Sequence, residues 1–563
     1  MDNSVKNSML WLHTWLSLSI GIILMIAFFF GSLSVFDREI DRWAIPETRF
    51  EPQPMPSFDN LLQDVLKTVE PNEDDYAATM PTIHDFSAGE MTPRLDLKPV
   101  EYWAYTTHRD PVLAAGVGYG IPHAKDPDGH NHIHGWISMD PRTGEIIPDS
   151  QLAIGSDFFF PLHYGLTFSW YNVGYWLIGI AGMVMMVGLV TGVIIHRKIF
   201  AEFFTFRPNK KIQRSTLDLH NMSGVVGLPF HFFFAFTGLL IFASWLYFPA
   251  SDTVLKPMHL QHDVEESQQT GLPLKPAGIP AEMSSVDAMM AKAQQRWSEN
   301  GMPGDIGYLT IAHLGDKNAY VSVYRASTDR VGMTGYGVHF SATTGEIIME
   351  DPAFSPINAV SDFLISLHFQ HFEHWLLRWL YVIGGLLGCV CIATGFIFYV
   401  EKRKLKHASN GSQGSRIVDA IGVTSVTGML IATLAMLVAN RIIPSEYAGK
   451  GDLEINIFWG LWMIALVHAL IRSKPVLKGL TNPAWQEQCW VICAFGVTAV
   501  ALNWISTGDH LAFTLANYLP VAGVDICLLV TSAIAFIAAR KLSRQPATEK
   551  AKSQTYAKKV AHG

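Results

Sequence analysis

Residues 12–31 read LHTWLSLSIGIILMIAFFFG, and residues 219–238 read LHNMSGVVGLPFHFFFAFTG. Both stretches open on a Leu-His pair, run apolar, and reach a glycine 18 positions past the histidine, His13 to Gly31 and His220 to Gly238. The match continues outward. TGEII occurs at residues 143–147 and again at 344–348. After each comes a second Leu-His pair, Leu162-His163 and Leu367-His368, leading into a membrane-length run that ends in Thr-Gly, Thr191-Gly192 and Thr394-Gly395. Repetition in this order is an internal duplication of helix, soluble module, helix.

Charged residues make up only 16% of the 563-residue chain, which is low for a soluble protein. Runs of about 18 or more apolar residues mark spanning helices. Eight are expected, near 11–36, 173–195, 225–247, 377–400, 417–439, 455–471, 490–505 and 515–539. The fold class is therefore a mainly α membrane protein, with a duplicated core and four extra C-terminal helices. The expected divisions are a first span (1–36), a first outer module (37–160), a second span (161–197), an inner loop (198–219), a third span (220–247), a second outer module (248–366), a fourth span (367–400), an inner loop (401–416), the four-span extension (417–540) and a tail (541–563). The first run is too long for a cleaved leader and lacks a small-residue cleavage site.

Orientation follows from basic residues in short loops. Arg197, Lys198, Arg207, Lys210, Lys211 and Arg214 follow the second span, and Lys402, Arg403, Lys404, Lys406 and Arg416 follow the fourth. Arg472, Lys474 and Lys478 follow the sixth, and Arg540, Lys541 and Arg544 the eighth. All fall on one side, so both termini are expected in the cytoplasm and both modules outside, in the arrangement of a bacterial inner-membrane protein. The net charge of −8 carries little information, and no basic cluster with interleaved aromatics points to nucleic acid. The cysteines, Cys389, Cys391, Cys489, Cys493 and Cys527, all lie in or beside spans, and no C-x-x-C-H occurs, which excludes covalent c-type haem.

Within the modules, strands are expected at 101–106, 116–120 and 135–139, then at 308–312, 319–324 and 335–341, with an amphipathic helix at 285–297. The duplicated TGEII is a hairpin signal in each. These Leu-His openings, terminal Thr-Gly pairs and doubled hairpins resemble the PepSY-associated transmembrane family over about residues 5–405. The resemblance implies PepSY-like α+β modules outside the membrane and, in the family's ferrisiderophore reductases, a role in iron uptake. The last four spans lie beyond the family core.

The histidines carry the chemistry. His13 and His220 start the first and third spans on the cytoplasmic side, and His163 and His368 precede the second and fourth on the outer side. Matched pairs at equal depth suit two bis-histidine b-type haems, one near each face. A single boundary histidine reads as an interfacial polar residue. Four in duplicated register read as ligands. His371 is an alternate to His368 in the outer pair, and His196 and His231 are alternates in the inner one. His130, His132 and His134 share one face if they lie on a strand, as a metal site or as an exposed loop. Asp525 is a lone acid in the eighth span.

The expected activity is that of a di-haem b oxidoreductase passing electrons from a cytoplasmic or quinol donor to a ferric siderophore outside. Hard oxygen donors hold Fe(III) far better than Fe(II), so one-electron reduction loosens the chelate. No nucleotide-binding or flavin motif is present, so the donor is separate. The alternative is a membrane transporter or binding protein for a siderophore or metal. Against it stand a parallel duplication and a sequence read as having no glycine- or proline-broken helix pair. Peptidase inhibition, also attached to soluble domains of this family name, leaves the membrane histidines unexplained.

Overall fold

The apolar runs form helices because a bilayer leaves backbone polar groups no partners but their own. The computed structural model describes residues 3–71, 97–107, 109–120, 132–148, 151–168, 170–196, 206–208, 210–245, 271–332, 335–352, 355–473 and 482–543. They fall into two units. One comprises Met1–Arg49, Ser150–Leu239 and Trp375–Gly563, and the other Phe50–Asp149 and Leu240–His374.

In the first unit, span one is Asn3–Ser34, span two Val173–Ile195 and span four Trp375–Ser409. Spans five to eight are Gly414–Ile442, Lys450–Arg472, Pro483–Thr507 and Leu519–Ser543. Span seven shows how such an element is delimited. The Asn482 side chain accepts from Ala484 N–H at 3.0 Å, Pro483 fills the first turn, and Gly508 closes the helix at φ +79°.

Span three departs from the sequence reading. It begins at Ile212 rather than near 225, and it is two helices, Ile212–Val226 and Leu228–Trp245, bent by 60° at their junction. Gly227 and Pro229 lie at the break. Proline lacks an N–H and its ring clashes with the preceding turn, which kinks a helix. The sequence reading that no helix is broken by glycine or proline is thus corrected. Seven unbroken helices among the described residues are long and apolar enough to cross a membrane, or eight with the bent pair counted as one.

In the second unit the two outer modules share one sheet. The strands are β1 Lys98–Thr107, β2 Asp110–Gly120, β3 His132–Met139, β4 Ile146–Ile147, β5 Ile306–Ala312, β6 Tyr320–Arg325, β7 Gly337–Ser341 and β8 Ile347–Glu350. Their order is β4-β3-β2-β1-β5-β6-β7-β8. Each module contributes an antiparallel four-strand meander, and the two join where β1 meets β5, with Tyr102 opposite Ile311 and Ala104 opposite Leu309. One continuous core lies beneath, including Phe58, Leu62, Val117, Met139, Met289, Trp297, Val323 and Phe340. Two readings of separate α+β units therefore become one sheet, because neither half-sheet covers its own edge at β1 or β5.

The helical pieces of the two modules cap each other. Asp59 accepts from the Ser285 hydroxyl (2.6 Å) and Val286 N–H (3.1 Å) at the start of helix Val286–Glu299. Asp287 accepts from the Ser57 hydroxyl (2.5 Å) and Phe58 N–H (2.7 Å) at the start of the helical turns Phe58–Leu62. Ser57-Phe58-Asp59 and Ser285-Val286-Asp287 are the same motif in the two copies, used reciprocally.

Candidate functional site

His13 lies in span one and His220 in the first half of span three, and the structure brings them together. Their ring centres are 6.3 Å apart, with planes at 79°. The Nδ1 of His13 is 3.1 Å from the Gly188 carbonyl oxygen and 3.1 Å from Thr191 Oγ1, both on span two. His220 repeats this on span four, where its Nδ1 is 2.8 Å from the Cys391 carbonyl oxygen. Gly188 precedes Thr191 by the same interval as Cys391 precedes Thr394. A carbonyl only accepts, so Nδ1 carries a proton, and in the neutral form of each ring Nε2 is the bare nitrogen.

His163, in the short helix Phe160–Gly165, follows the same rule at the other end of span one. Its Nδ1 donates to the Ala27 carbonyl at 2.7 Å. All three rings lie over a glycine. A Cβ on Gly31 would stand 2.7 Å from His163 Nδ1, one on Gly192 3.4 Å from His13 Cε1, and one on Gly395 3.5 Å from His220 Cε1. The repeated 18-residue spacing therefore has an unexpected meaning. Gly31 is the seat of His163, and His13 and His220 sit on the glycines of the Thr-Gly pairs. On a 1.5 Å rise, the 18 residues from His13 to Gly31 separate the two levels by about 27 Å.

The remaining sequence candidates are placed as follows. His231 is buried in the second half of span three, with Nε2 3.3 Å from the Gly384 carbonyl, its ring 5.2 Å from Phe28 and Gly227 directly beneath it. Its Nε2 is thus already engaged, whereas among the described residues the hydrogen bonds of His13 and His220 are made at Nδ1. His196 ends span two, its N–H on the Gly192 carbonyl at 3.0 Å. His368 belongs to the second unit, at the end of helix Pro356–Phe369. Gln370 then takes φ +57° and ends that helix, so His371 lies past it, its ring 5.7 Å from Phe369. His132 and His134 lie on β3, where Ile133, Ile137 and Met139 face the core and His134 the opposite side. His130 is outside the described residues. Among the described residues no group of three or more His, Cys, Asp or Glu side chains is arranged to hold a metal ion.

Asp525 is buried and hydrogen-bonded. Trp43 Nε1 donates to it at 2.8 Å and Asn503 Nδ2 at 3.3 Å. Asn503 in turn accepts from Arg49 Nη2 at 2.8 Å, and Arg49 also pairs with Asp509 at 2.7 Å. Trp43 and Arg49 are not legible in the sequence as part of this cluster, because both sit in the segment just after span one, hundreds of residues away. A second buried group, Asn440 with Glu454 at 3.0 Å, lies within spans five and six.

The fold and this geometry define a class: a multi-span membrane protein with two histidine-bearing helix pairs and one eight-stranded sheet. The chain belongs to the PepSY-associated transmembrane family, whose model matches residues 10–402. It is similar to an uncharacterized protein of Pseudomonas aeruginosa, 22% identical over 371 residues, a span covering 64% of this chain and 88% of that relative.

Proposed function

We propose that the protein is a di-haem b reductase of the bacterial inner membrane. In this reading electrons from a cytoplasmic or quinol donor pass across the bilayer to a ferric siderophore on the periplasmic side and release Fe(II). The observation that carries the reading is the shared treatment of His13, His220 and His163. Each Nδ1 is tied to a backbone carbonyl of a neighbouring helix, and each ring lies over a glycine. That arrangement fixes the tautomer and raises ligand basicity, which is what histidines that ligate metals require of their surroundings.

The donor set fits a b-type haem. Two imidazoles with ring centres 6.3 Å apart, each held at Nδ1 by a backbone carbonyl, would offer their Nε2 atoms to a haem iron. His13 and His220 would hold the inner haem. His163 would be a ligand of the outer one, for which the sequence repeat supplies His368, or its alternate His371, as the second. Haem supplies one-electron transfer, and the chain supplies orientation, neutral imidazole and exclusion of water. His231 and His196 are set apart as ligands by the carbonyl bond of the one and the helix-end position of the other.

The test is a reduced-minus-oxidised spectrum of the purified protein with haem quantified per chain. Two b-type haems are expected in the wild type. One is expected in His13→Ala or His220→Ala, and one in His163→Ala. A folded, colourless wild type overturns the reading, and full haem content in His13→Ala overturns the inner assignment.

A further inference from the structure

The Thr-Gly pairs that end spans two and four are conspicuous in the sequence, and the glycine alone accounts for the room a ring needs. The threonine is the unexplained half. Thr191 Oγ1 lies 3.1 Å from His13 Nδ1, and Gly188 O, the carbonyl that His13 also meets, is 3.0 Å from that same hydroxyl. The Thr191 hydroxyl also reaches the Val187 carbonyl at 2.9 Å. Its single proton goes to a carbonyl of its own helix, which leaves an oxygen lone pair facing the His13 N–H. The His13 ring thus has two acceptors at one nitrogen, arranged as a fork.

The second copy is built differently. Thr394 Oγ1 donates to Val390 O at 2.6 Å and lies 3.0 Å from Cys391 O, the acceptor of His220. Besides that carbonyl, His220 Nδ1 has the Cys391 thiol as a partner, 3.6 Å away, where span two has Gly188 and no side chain. His13 therefore has a hydroxyl as its second partner and His220 a thiol.

We infer that Thr191 is a positioning residue: its hydroxyl oxygen, together with the Gly188 carbonyl, locks the His13 ring with Nε2 available and adds a second acceptor at its Nδ1. Thr394 acts on His220 only through the Cys391 carbonyl. The inference rests on the haem reading above. A stronger acceptor at Nδ1 raises imidazole basicity and favours the ferric over the ferrous state, so removing it raises the potential of the inner haem.

The experiment uses the full-length haem-loaded protein and three variants, Thr191→Val, Thr191→Ser and Thr394→Val. Haem per chain, the low-spin ferric resonance spectrum and the two midpoint potentials are recorded for each. Thr191→Val is expected to raise one midpoint potential and alter one of the two ferric signals, leaving the other haem unchanged. Thr191→Ser restores both values, and Thr394→Val produces a smaller change than Thr191→Val. Loss of one haem in Thr191→Val with retention in Thr191→Ser equally supports the assignment. Unchanged potentials and spectra in a Thr191→Val protein that carries both haems overturn the positioning role and leave the haem reading standing. Equal effects of Thr191→Val and Thr191→Ser also overturn it. A wild type without haem removes both.

Discussion

At the scale of single residues, the glycines discriminate more sharply than the histidines. The distance at which an added methyl would meet each ring sets an order of severity. On Gly31 the Cβ would lie 2.7 Å from His163 Nδ1 and 2.8 Å from Cε1, inside any tolerable contact, and the ring is already tied to Ala27 at 2.7 Å. On Gly192 the nearest atom is His13 Cε1 at 3.4 Å, an ordinary contact. On Gly188 nothing lies within 4 Å. If the protein is the di-haem protein proposed above, Gly31→Ala is therefore expected to displace His163 and remove one haem, whereas Gly192→Ala keeps both. Gly188→Ala keeps both as well and gains up to about 1 kcal/mol of helix stability. Haem per chain in the three purified variants checks the order, and equal haem content throughout refutes the seat assigned to Gly31. The histidines and glycines were legible in the sequence as a repeated spacing. Their pairing was not, because His163 and Gly31 lie on different elements, and no spacing along one helix reveals which neighbour presses on it.

Among the elements, the hairpins and helix starts follow local chemistry and the sequence displays them. Gly144 and Gly345 take φ +78° and +71° in the two TGEII turns, as the doubled motif implies. In the first turn Arg142 donates to Asp140 at 2.7 Å and holds that carboxyl below its ordinary value of 3.8. A lowered carboxyl contributes stability that is present above the unfolded value and lost as pH falls through the folded one. Thermal unfolding of the full chain from about pH 6 down to about pH 3 is therefore expected to decline less steeply in Asp140→Asn than in the wild type. Parallel curves would show that the turn contributes nothing to acid sensitivity. What the sequence concealed is the joining of the modules. The β1–β5 pairing spans some two hundred residues, and the caps cross between copies, Asp59 serving Val286–Glu299 and Asp287 serving Phe58–Leu62. Each carboxylate accepts from backbone N–H groups at a helix start, so Asp59→Ala and Asp287→Ala should each cost about 1–2 kcal/mol. Hydrogen exchange in the full-length protein is expected to rise in both helical pieces in either variant. Deprotection confined to the piece nearer in sequence would show that the caps are not reciprocal. Span three likewise escaped a reading by hydropathy, since a window sees Gly227 and Pro229 as minor interruptions and not as a 60° bend.

For the molecule as a whole, the four-span extension is the part that neither the duplication nor the family match, which ends at 402, explains. A buried acid in a span is a functional candidate by default, and Asp525 was singled out on that ground. The structure supplies it with partners instead. Trp43 donates to one oxygen, Asn503 approaches both, and Arg49 holds Asn503 from its other side while pairing with Asp509. These contacts dock the segment after span one onto spans seven and eight, and Phe30 of span one meets Phe458 of span six at 5.9 Å. The extension thus packs against the same end of span one at which Gly31 seats His163. A bracing role and a proton-coupled transport role make opposite predictions for Asp525→Asn. The amide keeps an oxygen for Trp43 and turns its NH2 toward the NH2 of Asn503, so a donor faces a donor and stability falls by about 1–3 kcal/mol. If the extension is a brace, the melting temperature drops while haem content and the rate of ferric-chelate reduction per haem stay at wild-type values. If Asp525 carries protons for uptake, the melting temperature holds and siderophore-dependent iron accumulation in cells is lost. The hydrogen bonds favour the first outcome, since both oxygens of Asp525 already face donors from Trp43 and Asn503, and Asn503 is itself held by Arg49.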